Sequence, residues 1–149
     1  MFSDMIRRTR ASRTGTAGRG GARESATARR LTQVELELMT VLWRLGSGTV
    51  GEVIEELPED RRLAYTSVST ILRILEKKGV LASRKKGRGH VYVPLVGRQD
   101  YEAWSVRDLV ARLFDGAPAA LVRTLLESES LSAGDRRAIR ALLDEKGAR

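Results

Sequence analysis

The stretch "AYTSVSTILRILEKKGVL", Ala64 to Leu81, decides the fold. Val68, Ile71, Leu72 and Leu75 recur at helical spacing and mark one buried face. Gly79 stands where a helix end takes a left-handed residue, and Val80 is placed to touch Leu75 across a Schellman-type terminus. At about 100° per residue, Thr66, Ser69, Thr70, Arg73 and Lys77 centre on the opposite side. A core helix therefore carries a strip of short hydroxyls that runs into two cations. Each feature has an ordinary use when taken singly. Ser and Thr often only cap a helix, and Lys-Lys before a terminal Gly often only offsets the helix dipole. The neighbouring elements decide between these uses and a functional one.

Upstream, Thr32 and Glu35 form a capping box, with Leu31 and Leu36 as its hydrophobic staple. Val34, Leu38, Val41, Leu42 and Leu45 then share a helical face that ends at Gly46 and Gly48. Thr49 and Glu52 make a second capping box for a short helix that buries Val50, Val53, Ile54 and Leu57. Pro58 stops it, and "EDRRL" reads as a polar loop. Downstream, "VLASRKKGRGHVYVPL" places two extended runs around Lys86-Gly87-Arg88-Gly89, which predicts a β-hairpin. Its tip is expected to carry Arg84, Lys85, Lys86, Arg88 and the sole histidine, His90.

Three helices followed by a basic hairpin predict a winged helix-turn-helix whose third helix is the recognition helix. Tyr65, Thr66, Ser67, Ser69 and Thr70 then lie in the turns that enter a major groove. Short hydroxyls there approach base edges closely and can donate or accept. Arg73 and Lys77 lie further along and suit phosphates, with Arg73 also within reach of a guanine. The wing cations suit phosphates or the adjacent minor groove. A winged-helix protein-interaction module that does not read DNA is the alternative. It would need neither the polar strip at Thr66 to Arg73 nor a cationic wing.

After Pro94 the helical period returns. A long helix over about Arg98 to Phe114 carries Val106, Leu109, Val110, Leu113 and Phe114. Pro118 opens another with Leu121, Val122, Leu125 and Leu126. Ser132, with Asp135, caps a third containing Ile139, Leu142 and Leu143. A small winged domain cannot cover all these stripes, and short helices with such faces usually dimerise. Val106, Leu109, Leu113, Leu121, Leu125, Ile139, Leu142 and Leu143 are the expected dimer contacts. The fold class is thus mainly α with a small β-hairpin wing. Three segments are expected: a disordered basic arm over 1–30, a winged helix-turn-helix over 31–97 and a helical dimerisation domain over 98–149.

Composition narrows the chemistry. The 149 residues carry a formal charge of +8, but residues 1–30 hold eight arginines against Asp4 and Glu24. The remaining chain has 19 basic and 17 acidic residues, so its case rests on local placement rather than bulk charge. The arm is low in apolar residues and suits either phosphate tracking or plain solvation. There is no cysteine, hence no disulfide, thiolate metal site or cysteine nucleophile. No paired carboxylates, partnered histidine or phosphate loop after a strand point to an enzyme, and no cofactor or metal is expected. The apolar runs are too short to span a bilayer, so no membrane partner and a cytoplasmic location are expected. Double-stranded DNA and a second copy of the chain are the expected partners.

The sequence resembles the penicillinase-repressor family of BlaI/MecI type. The resemblance lies in "LTQVELELMTVLWRLG" (Leu31 to Gly46), "AYTSVSTILRILEKKGVL", "RGHVYVPLVGRQDY" (Arg88 to Tyr101) and "ALVRTLLESESLS" (Ala120 to Ser132). It implies a homodimeric bacterial repressor with DNA-reading positions at Thr66, Ser67, Ser69, Thr70 and Arg73. It also implies a backbone-contacting wing from Arg84 to His90. Members of the family are often induced by a cut at an Asn-Phe bond, triggered by a membrane sensor protease. Here that position reads Thr124-Leu125, so the resemblance does not carry this mode of induction over. Copper-responsive relatives carry a cysteine tail, which this chain lacks.

Overall fold

The computed structural model describes residues 30–147. The expected basic arm, apart from Arg30, lies outside the described residues. Helix α1 spans Gln33–Leu45 and starts at the predicted capping box: Glu35 N–H donates to Thr32 Oγ1 (3.2 Å) and Thr32 N–H to Glu35 Oε1 (2.9 Å). Gly46, at φ +83°, ends it by donating its N–H to the Leu42 carbonyl. Leu38, Met39, Val41 and Leu42 are buried, whereas Leu45 is exposed. The buried arc is therefore rotated away from Val34 and Leu45 towards Met39 and Glu35.

Residues Gly48–Thr49 form a two-residue strand, β1, which the hydropathy pattern does not announce. Thr49 then caps α2 (Val50–Glu56) through its box with Glu52. The loop after Pro58 contains one 3-10 turn, Glu59–Arg61. The Arg61 guanidinium grips both carboxylate oxygens of Glu37 on α1, at 2.7 Å and 3.0 Å. Helix α3 (Tyr65–Lys77) buries Val68, Leu72 and Leu75. It ends in the predicted Schellman motif, with Val80 N–H on the Leu75 carbonyl (3.2 Å), Gly79 N–H on the Glu76 carbonyl (3.0 Å) and Gly79 at φ +80°.

Strands β2 (Leu81–Lys86) and β3 (Gly89–Pro94) pair antiparallel from Leu81↔Pro94 to Lys86↔Gly89. The connection is only Gly87-Arg88, with Gly87 at φ +59° in the first position, where a tight hairpin reserves glycine. β1 adds to the free edge of β3, giving a three-stranded antiparallel sheet of order β1-β3-β2 rather than an isolated hairpin. Leu81 and Tyr92 join the residues of α1, α2 and α3 in one apolar core.

The described chain divides into two compact units after Ala103. That point lies inside α4 (Arg98–Leu113), whereas the sequence suggested a boundary before Arg98. The first turn of α4 is held by α1: Trp43 and Tyr101 rings lie 5.7 Å apart, and the Tyr101 hydroxyl accepts from Leu31 N–H at 3.2 Å. Trp43 Nε1 also donates to the Val96 carbonyl at 2.9 Å. The second unit continues α4 and adds α5 (Pro118–Glu127) and α6 (Ala133–Gly147). Pro118 sits in the first turn of α5, and Ser132 exchanges cap hydrogen bonds with Asp135 before α6. The Ser132 bonds hold the Asp135 carboxyl below its ordinary range. Among the described residues no helix is long and apolar enough to cross a membrane.

Candidate nucleic-acid interface

Ala64 stands at the N-cap of helix α3 and makes no side-chain cap bond. The hydroxyl residues start beyond the cap, so capping does not explain them. Tyr65 is 60 % exposed, Thr66, Ser67 and Thr70 are exposed, and Ser69 is half-buried. Thr66, Ser67 and Thr70 line a shallow depression together with Ile71. The Thr70 hydroxyl donates to the Thr66 carbonyl at 2.8 Å. Its single proton is thus committed to the helix, and towards a partner it can only accept or present its methyl group.

Further along, Arg73, Glu76 and Lys77 of α3 face Ser83 of β2 and His90 and Tyr92 of β3 across an open cleft of about 440 Å³. Helix and hairpin residues meet here because α3 turns directly into β2 at Gly79. The strand register sorts the wing cations. Lys85 pairs with His90 and Ser83 with Tyr92, so these four share the sheet face that lines the cleft. Arg84, paired with Val91, and Lys86, paired with Gly89, project from the other face. Arg88 lies in the turn. The five wing residues expected at one tip are thus distributed over two faces and a turn, because side chains alternate along a strand. His90 in particular belongs to the ladder.

Most cations of this surface have no ion-pair partner among the described residues. Elsewhere in the winged unit, Arg44 pairs with Glu56 (3.1 Å), Arg61 with Glu37 (2.7 Å) and Lys78 with Glu35 (2.7 Å). Among the described residues, Arg73, Lys77, Lys85, Lys86, Arg88 and His90 form no such pair. The two lysines before Gly79 therefore have different jobs. Lys77 is exposed at the cleft, whereas Lys78 reaches back to the buried Glu35, 4 % exposed, and to the Arg30 carbonyl. Burial pushes the Glu35 carboxyl up, but bonds from Lys78 and Thr32 outweigh it and hold it below the usual range. Glu76 did not stand out in the sequence, since only the wing's position shows that its carboxylate enters a cationic cleft.

In the second unit, Val106, Leu113, Leu125, Leu142 and Leu143 are exposed, and Leu109, Leu121 and Ile139 are half-buried. Val122 and Leu126, one position along α5, are exposed too. The apolar stripes read from the sequence are thus present as surface within the single chain. Among the described residues no cluster of His, Asp or Glu could hold a metal ion.

Three helices, a sheet-edge hairpin and a polar strip on the third helix define a winged helix-turn-helix. The chain belongs to the penicillinase repressor family, whose pattern it matches over residues 31–145. It is 31 % identical over 115 residues to the penicillinase repressor of Bacillus licheniformis, covering 77 % of this chain and 90 % of that protein. It is 36 % identical over 119 residues to the transcriptional regulator BlaI of Mycobacterium tuberculosis, covering 78 % and 84 % of the two chains. The solution structure of the DNA-binding domain of the repressor BlaI is 36 % identical and covers 50 % of this chain and 90 % of that one, with a TM-score of 0.44.

Proposed function

We propose that this chain is a sequence-specific transcriptional repressor that binds a palindromic operator in double-stranded DNA as a homodimer. One observation carries the reading: the exposed hydroxyl strip of α3 runs into a cleft where Arg73 and Lys77 of α3 and Lys85 of the wing stand without ion-pair partners among the described residues. A surface serving only protein contact has no need of so many unneutralised cations beside a polar helix face. Family membership and the repressor function named for its relatives support the same conclusion. Residues 31 to about 103 form the DNA-binding part and the remaining helices the dimerisation part. Thr66, Ser67, Ser69 and Thr70 face base edges, Arg73 a guanine or a phosphate, and Lys77 and the wing the backbone. Thr70, as acceptor or methyl donor of contact, suits an adenine or cytosine amino group or a thymine methyl. Genome-wide footprinting of bound DNA tests the proposal and identifies the operator; uniform occupancy without preferred sites would defeat it.

Thr70→Ala or Arg73→Ala is expected to weaken the footprinted site by about 1–3 kcal/mol where a base contact is lost. Binding to random duplex should change less, as titration of both DNAs would show. Equal losses on the two would assign these residues to the backbone.

The wing gives a second expectation. Lys85→Ala, on the cleft face beside His90, should flatten the slope of log affinity against log salt by about one unit, the signature of one lost phosphate contact. Lys86→Ala, on the opposite face, should change it less. Salt titrations of the two variants side by side decide the matter, and indistinguishable slopes would show that both faces of the hairpin meet DNA.

A further inference from the structure

We infer that Glu76 is a specificity residue acting by repulsion: it weakens binding to non-operator DNA more than binding to the operator. This inference rests on the repressor reading above. Glu76 lies one turn beyond Arg73 and next to Lys77 on α3, and lines the cleft that also holds His90. It is exposed and forms no ion pair with a described residue, although two α3 cations are near it in sequence. No structural use thus accounts for a carboxylate here. The winged unit spends Glu35, Glu37 and Glu56 on named ion pairs and Glu52 on a cap, and leaves this one in the surface proposed to face phosphates.

A carboxylate in that position repels the DNA backbone. The consequence differs between two kinds of complex. On random sequence the protein is held by phosphates alone, so its affinity is a sum of charge interactions and one opposing charge counts in full. On the operator, base-edge contacts from the first turns of α3 set the register. The cations beside Glu76 are then seated on phosphates and neutralise its field at close range. Repulsion that is felt most by the wrong partner raises discrimination without adding any attractive contact.

The test is Glu76→Gln in the full chain, titrated against a footprinted operator fragment and a random duplex of equal length at one salt concentration. Random-duplex affinity should rise about threefold or more, the scale of removing one charge near a phosphate across water. Operator affinity should change by less than half that factor, so the ratio of the two falls. Glu76→Asp keeps the charge and should keep the ratio. An equal rise on both DNAs, no change on either, or a loss confined to the operator each overturns the inference; the last would make Glu76 a base-reading acceptor. A wild-type chain that prefers neither DNA fails the repressor reading itself, which separates the two failures.

Discussion

Lys78→Ala is expected to destabilise the winged unit by about 3 kcal/mol, the low end for breaking a buried ion pair because the lysine is a quarter exposed. The loss comes mainly from what is left behind. Glu35 is buried, its Oε2 has no hydrogen-bond partner among the described residues, and without Lys78 its charge keeps only the Thr32 bonds. Replacing both members, Glu35→Gln with Lys78→Met, should cost less than Lys78→Ala alone, since no buried charge then remains. Urea unfolding of the three variants measures this, and a double variant weaker than the single one would show that the pair is worth more than the penalty of orphaning it.

The pH dependence follows from the direction of the Glu35 shift. Its carboxyl is lowered in the folded chain from an ordinary value of 4.5, so the ionised form stabilises the fold. That contribution is complete above about pH 5 and is lost as pH falls through the lowered folded value. Lys78→Ala removes the main bond that favours the charge. The gap between wild type and variant should therefore be widest near neutrality and shrink as pH falls through the lowered folded value, below which both carry a neutral Glu35. A gap that stays constant from pH 7 to 3 would mean that the variant loses packing of the lysine stem rather than charge pairing.

This pair also marks the limit of what could be read in the sequence. Features whose partners lie within a few residues were legible. Both capping boxes, the Schellman end at Gly79, the hairpin and Pro118 at a helix start are short-range geometry, and the chain adopts them. Features that need a distant partner were not. Glu35 read as half of a capping box because Thr32 is three residues away; its other partner is 43 residues away. Strand β1 is two residues long and exists only because the edge of β3 is there to pair with it. The hydroxyl strip of α3 was visible from periodicity, yet the back-bond that commits Thr70's proton was not, and the assignment of wing cations to faces awaited the register. The site was thus legible as a set of residues but not as an arrangement.

Leu125→Asp should turn the proposed dimer into a monomer and weaken operator binding about a hundredfold or more while leaving the winged unit folded. Within one chain the helical unit exposes apolar side chains that a soluble monomer would ordinarily cover: Leu113 is 67 % exposed, Leu143 66 % and Leu142 57 %. Covering them against a second copy ties two winged units together. The second half-site contact then becomes intramolecular, and tethering of this kind is worth about 10²–10⁴ in affinity without any new DNA contact. An aspartate among those side chains in the dimer must lose its water without a partner, whereas in the monomer it stays solvated, so the substitution acts on association. Leu143→Asp provides the stricter version, because its site is more exposed and a carboxylate there costs the single chain little. Sedimentation velocity reads the oligomeric state, and Lys85→Ala serves as a control that should remain dimeric. If both aspartate variants sediment as undiminished dimers, the interface lies elsewhere. Release from DNA would act on the same helices. Thr124-Leu125 lies inside α5, with the Thr124 hydroxyl bonded to the Ala120 carbonyl, so a protease would have to open the helix to reach that bond. Release by a ligand, a partner or a cut outside α5 is therefore expected, and mass spectrometry of the protein from induced cells decides it, because a fragment ending at Thr124 would contradict the expectation directly.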